Sequence, residues 1–442
     1  MGFLDFLLFP VYVALFYLLF ARQRKNFKNP TLAFYHKYAF WAKILGSFSL
    51  TIFYYYITSG DSTSLYYAEG VNLYRHILKD PENIQWLFQT GMDYPQTLIK
   101  NGGNTGYFGS EANFVIIKFV TVFAFFSFGK YMIINLFFSM LAFTGLWKLF
   151  RFFYETQPHL HKSFAIAILF LPTVVFWSSG ALKDPICMAM LGWLTYACYD
   201  LFYHKKAMMT NLVIIVLSAF ILNSVKSYIL FSYLPFLMFY IVSMNLTLVK
   251  SYFLKAGAFI AIAGVAVFGF IVMADTLQEE MGLLALDKLT ESVQVQQTNF
   301  ENLSDRAGSA FSLGVEYDGS LGGLLRIAPA AINATLFRPY LWESKKISTL
   351  LSSLESLTLM ILFLYVFFKR GVLHFFSSII KDPMILFCLA FSLMFALFIG
   401  ATTLNFGTLV RYKIPCMPFF IIALILILHR NSPSSATHPT KS

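Results

Sequence analysis

The chain has 442 residues, 58% of them hydrophobic, 19% aromatic and only 12% charged, with a formal net charge of +11. Soluble domains carry about 25% charged residues, so a water-soluble globule is excluded, and long apolar blocks exclude the alternating strands of a transmembrane β-barrel. The excess of lysine and arginine does not point to nucleic acid, because these residues sit in short loops beside apolar runs, the positive-inside pattern of a membrane protein.

Apolar runs near the roughly 20 residues that cross a bilayer recur along the whole length. The sequence therefore predicts an all-α, polytopic integral membrane protein. It should have about eleven transmembrane helices, one interfacial helix and two long outer-face loops. All of these form one transmembrane domain over 1–429.

The first run, "FLDFLLFPVYVALFYLLF", lacks a basic leader and a small-residue cleavage site, and reads as a retained helix over about 3–20. Arg22, Arg24, Lys25 and Lys28 follow it, which places that loop in the cytoplasm and the N-terminus outside. A second span at about 40–58 leads into the loop 59–111. There Asp61, Glu69, Asp80, Glu82, Asp93 and Glu111 outnumber Arg75, Lys79 and Lys100, which suits the outer face. An interfacial helix over 112–127 and a span over 131–148 keep "KLFRFF" inside.

Further spans are predicted near 164–180, 185–202, 211–225, 228–247, 254–274, 347–368, 383–401 and 413–429. A second acid-rich outer loop falls at 275–345. The tail 430–442, rich in Ser and Pro, is predicted to be disordered and cytoplasmic. This topology fits a bacterial inner membrane. Cys187, Cys198, Cys388 and Cys416 lie in or beside apolar segments without metal-site spacing, and read as buried thiols.

Between two apolar runs stands "FWSSGALKD", residues 176–184, with Lys183 and Asp184 side by side at an outer corner. Asp61 lies where the chain leaves its second span. Lys226 sits in the break "NSVKSY", and Arg411 precedes "IPCMPFFIIALILIL" on the same face. Two carboxylates and two cations at one membrane depth suit sugar transfer from a lipid-linked donor. A carboxylate takes the proton of the acceptor hydroxyl, and cations stabilise the departing lipid phosphate. Asp61 and Asp184 are the candidate catalytic acids. Arg411, Lys226, Lys183 and Arg338 are the candidate ligands of the phosphate and lipid donor.

Each also has a structural alternative. Both acids could cap helices, with Pro185 at a first helical position, and Arg411 and Lys413 could reach lipid headgroups through their long stems. His159 and His161 lie on the cytoplasmic side and give no metal site. Metal dependence stays open, a divalent cation at Asp184 being one option.

The segments "GDSTSLYYAEG", "FSFGKYMIINLFFSMLAFTGLWKLFRFF", "FLPTVVFWSSGALKD" and "RYKIPCMPF" together resemble the GT-C superfamily of membrane glycosyltransferases. Protein mannosyltransferases and lipid A aminoarabinose transferases belong to it. The resemblance covers mainly residues 50–200 and 405–425. It implies a polyprenyl-phosphate sugar donor, a glycan, lipid or protein acceptor, and usually inversion at the anomeric carbon. It also matches Asp61 to the acid of the family's first outer loop, Asp184 to a second acid after a Pro-containing span, and Arg411 to a late cation. Here Asp61 is flanked by Gly60 and Ser62 rather than by a second acid, and "GNTGYFGSEANF" replaces the usual His-Pro-Pro. An O-antigen-type polymerase or ligase working through Arg306, Arg326 or Arg338 is the alternative enzyme. A lipid-linked oligosaccharide flippase or transporter is the non-enzymatic one, and it predicts charges in mid-span.

Overall fold

The computed structural model describes residues 2–58, 60–99, 110–245, 311–314, 321–344 and 347–430. The predicted span at 254–274, Arg306, most of the loop 275–345 and nearly all of the C-terminal tail lie outside the described residues. Every regular element among the described residues is a helix.

Six helices are long and apolar enough to cross a membrane: Phe3–Arg24, Tyr131–Thr156, Lys183–His204, Met208–Met244, Thr349–Arg370 and Pro383–Thr402. A seventh candidate is the pair Phe406–Tyr412 and Met417–His429, bent by 63°. The chain folds into two compact units, with the boundary after Phe231.

The first unit holds α1 (Phe3–Arg24), α2 (Pro30–Ile52), α3 (Ala68–Lys79), α4 (Glu111–Ser127), α5 (Tyr131–Thr156), α6 (His161–Leu169), α7 (Pro172–Trp177), α8 (Lys183–Tyr199) and the start of α9 (Met208–Asn245). Helix α2 starts cleanly because Asn29 accepts from Thr31 N at 2.9 Å while Pro30 needs no such partner. Helix α5 is central, packing on α1, α2, α4, α6 and α8. Its closest neighbour is α8: a Cβ on Gly192 would lie 1.9 Å from Gly145 O, and one on Gly145 2.2 Å from Ala189 O. Where lipid tails remove the hydrophobic drive between helices, such small residues let backbones approach and gain dispersion contacts. Helix α1 instead exposes Leu7, Val11, Leu15 and Leu18, the face a bilayer would cover.

Several boundaries differ from the sequence expectation. The span expected at 164–180 is divided: α6 stops at Leu169 and α7 begins at Pro172, whose ring cannot continue the earlier helix. The two spans expected over 211–247 are one helical element, α9, broken at Lys226 with φ −152° and ψ 79°. Helix α4 falls where an interfacial helix was expected, and has 17 residues.

The second unit contains the rest of α9, then α10 (Leu321–Phe337), α11 (Ile347–Arg370), α12 (Val372–Lys381), α13 (Pro383–Thr402), α14 (Phe406–Tyr412) and α15 (Met417–His429). Helix α13 packs on α10 and α15. A Cβ on Gly400 would lie 2.0 Å from Ala331 O. Tyr233 wedges among Phe387, Phe391 and Phe419, its ring centroid 4.9 Å from that of Phe391. Helix α12 occupies what the sequence presents as a plain cytoplasmic loop. Leu373, Phe376 and Ile380 are exposed on it while Phe375 and Ser378 are buried, the pattern of a helix lying in a membrane interface.

A candidate site at the corner between α7 and α8

The chain turns between α7 and α8 through Ser178, Ser179, Gly180, Ala181 and Leu182, and all five are buried. A Cβ on Gly180 would lie 2.2 Å from Leu50 Cδ2 and 3.1 Å from Asn135 Oδ1, so a side chain there would push Leu50 aside. A buried turn must satisfy its backbone groups, and α5 supplies a partner. Ala181 N donates to Asn135 Oδ1 at 2.8 Å, and Asn135 Nδ2 donates to Thr51 Oγ1 of α2 at 2.9 Å.

Beside this turn lies a lysine that composition alone does not single out. Lys43, in the middle of α2, is 1% exposed. Its ammonium donates to Ser178 O, to Ser178 Oγ at 2.9 Å and to Ser179 Oγ at 2.5 Å. Ser139 of α5 donates to Lys43 O at 2.8 Å. The three donors of the ammonium thus meet three oxygens, without a carboxylate. The signal was present as one cation within "AFWAKILGSF". That cation lies inside a predicted span rather than at its end, and its acceptors are 135 and 136 residues away in the chain.

Asp184 is the second residue of α8. Leu182 is the N-cap and makes no side-chain cap bond, so the expected capping role of Asp184 and the first-position role of Pro185 are not what forms this end. Asp184 still gains from the positive end of the helix dipole. Its Oδ1 accepts from Lys226 Nζ at 2.8 Å, and each residue is 2% exposed. The lysine reaches it because α9 loses helical geometry at Lys226 itself.

Asp61 opens a π-helical turn, Asp61–Tyr67, whose N-cap is Gly60, so Asp61 does not cap it either. It is half-buried. Its neighbour Ser62 shares a 2.8 Å hydrogen bond with Tyr131 OH of α5. Tyr131, Asn135 and Ser139 recur every four residues, so they form one stripe along a single face of α5. That stripe connects the Asp61 turn, the corner and Lys43 in one buried polar ladder. Farther out, Tyr94 packs on Trp86 and Phe114, and burial first, with Glu69 second, pushes its phenol above the usual range.

Lys183, the first residue of α8, is half-buried. The remaining candidates belong to the second unit. Arg411 is buried in the last turn of α14. Arg338 is engaged by Glu343, donating Nε to Oε1 at 3.0 Å and Nε to Oε2 at 3.1 Å, and its guanidinium lies 4.4 Å above the Phe311 ring. Lys413 is 1% exposed, not extended to headgroups, and donates to Arg338 O and Ser356 Oγ at 3.0 Å each. Among the described residues no group of three or more His, Cys, Asp or Glu side chains could hold a metal ion.

The corner therefore offers a carboxylate paired with a cation, and the turn that carries a second, more accessible acid is bonded to α5 through Ser62. That set can hold an anion and accept a proton. No family model, curated protein or solved structure matches the chain.

Proposed function

We propose that the chain transfers a sugar from a polyprenyl-phosphate-linked donor to an envelope glycan, lipid or protein acceptor at the corner between α7 and α8. The observation that carries this is the buried Asp184–Lys226 pair at the start of a membrane-length helix. Ionisable residues within apolar helices are costly, and their usual justification is a function.

The chemistry divides between the two acids. Asp61, half-buried on its π-helical turn, is the one an acceptor hydroxyl can reach. It takes the proton as the acceptor oxygen bonds to the anomeric carbon. The bond from that carbon to the phosphate oxygen breaks with its electron pair. Polyprenyl phosphate leaves as an anion, and Lys226, positioned by Asp184, meets the new charge. A buried Asp184 thus acts through Lys226 rather than on the hydroxyl.

The test is transfer of labelled sugar in proteoliposomes. Asp61→Asn should lower turnover about 100-fold or more, the scale of a lost general base. Lys226→Met should do likewise, with the fold intact by circular dichroism. Full activity in both variants overturns the assignment.

A further inference from the structure

A cavity of about 200 Å³ with a mostly apolar wall lies in the first unit, toward the other end of the same helices. Its wall includes Tyr196 of α8, twelve residues beyond Asp184, which is about 18 Å along a helix. Phe20, Phe143, Trp147 and Trp193 also line it. Two cationic or polar groups face it without the partners their burial calls for.

The first is His36 of α2. It is 0% exposed and lines the cavity, yet neither ring nitrogen has a hydrogen-bond partner. Rings of Phe20, Phe27, Phe143 and Trp147 surround it, with centroids between 4.7 and 5.7 Å away. Leaving a buried donor or acceptor unpaired costs about 1–3 kcal/mol, so an apolar ring would serve packing better. The second is Lys148 of α5, half-buried with its ammonium 4.4 Å from the Tyr196 ring centroid and no ion pair. One nearby acid, Glu155, is already held by Arg151 at 2.5 Å and by Tyr196 OH at 3.1 Å. Arg151 lies over the same Tyr196 ring at 4.9 Å. A second nearby acid, Asp200, is likewise engaged, by His204 Nδ1 and by Asn211 Nδ2 at 3.0 Å each, so neither carboxylate is ion-paired with Lys148, the lysine of the cavity wall.

We propose that this cavity binds a phosphate-bearing amphiphile, its phosphate on Lys148 and His36 and its apolar part against Phe20, Phe143 and the two tryptophans. A cation with an imidazole donor recognises the anion. Aromatic walls recognise the hydrocarbon, and a mostly apolar cavity with a few convergent polar groups is the usual form of a ligand site. Lipid is favoured over free phosphate because most of the wall is apolar, which a bare anion would not use.

Trp147 and Trp193 provide the readout. The full chain, purified in detergent, would be titrated with dioctanoyl phosphatidylglycerol while tryptophan fluorescence is followed. Dioctanoylglycerol and inorganic phosphate serve as the parallel titrants. Saturable binding of the phospholipid, with each control at least tenfold weaker, is the expected result. Lys148→Met should weaken it about tenfold, whereas Lys148→Arg, which keeps the charge, should bind within a few-fold of the parent. His36→Phe should raise the melting temperature and weaken binding, because it removes the unpaired nitrogens. Equal binding of the glycerol, equal binding of inorganic phosphate, or unchanged binding in Lys148→Met would each overturn the proposal.

Discussion

Lys43 Nζ stands 2.5 Å from Ser179 Oγ, in the middle of an apolar helix and with only hydroxyl and carbonyl oxygens around it. An ammonium satisfied by neutral oxygens depends on all of them, because no opposite charge offsets its desolvation. Replacing the lysine should therefore be milder than removing its acceptors. Lys43→Met keeps the volume and leaves Ser179 bonded to Val175 O. It should cost under about 1 kcal/mol, while Ser178→Ala with Ser179→Ala should cost about 3 kcal/mol by stranding the charge. Thermal unfolding in detergent orders the two, and a Lys43→Met variant less stable than the double serine variant defeats the account.

The Asp184–Lys226 pair calls for a double-mutant cycle. Either Asp184→Asn or Lys226→Met alone should cost about 3–5 kcal/mol, since one uncompensated charge stays buried. The double variant should recover most of that loss in stability while remaining inactive in sugar transfer. Additive losses would mean that the two side chains do not depend on one another.

Along α5, the ladder residues should separate by what they leave behind. Tyr131→Phe removes one hydroxyl from a shared bond with Ser62 and should cost about 1 kcal/mol. Asn135→Leu strands Ala181 N in a buried corner, while Thr51 Oγ1 keeps its bond to Ser47 O, and should cost about 2–3 kcal/mol. Equal melting temperatures for the two variants would show that Asn135 does not hold the turn.

Glycine substitutions test the contact of α5 with α8. An added methyl on Gly192 would meet the backbone of Gly145, which cannot rotate aside as a side chain can. Gly192→Ala should lower stability by about 2 kcal/mol or more, against a gain of a few tenths from helix propensity. Gly2→Ala, where the added Cβ meets nothing within 4 Å, is the control and should be silent.

Much of the helical framework was legible in the sequence because it depends on composition over some twenty residues. Phe3–Arg24, Thr349–Arg370 and Pro383–Thr402 announce themselves by unbroken apolar runs. Breaks depend on single residues and were harder to place. Pro172 divides a run whose hydropathy is continuous, and Lys226 interrupts α9 without shortening it. Helix α12 was missed because its ten residues are too few for a span and its apolar face is lipid-like rather than core-like. Asp184 and Lys226 could be set at one depth from topology. Their direct bond could not, since it needs the side step at Lys226 that no periodicity reveals. Lys43 shows the opposite limit: a charge within an apolar run is visible, but its acceptors lie 135 and 136 residues away.

Gly145 and Gly192 leave no layer of side chains between α5 and α8 where they meet. Two rods in backbone contact have no compliant padding through which one could slide or roll against the other. Any rearrangement that admits a long substrate must leave this pair intact and bend elsewhere. The natural place is the irregular backbone at Lys226, where α9 already departs from helical geometry. Opening there would withdraw the ammonium from Asp184 in the same stroke, so admission of a substrate and release of the carboxylate would be a single event.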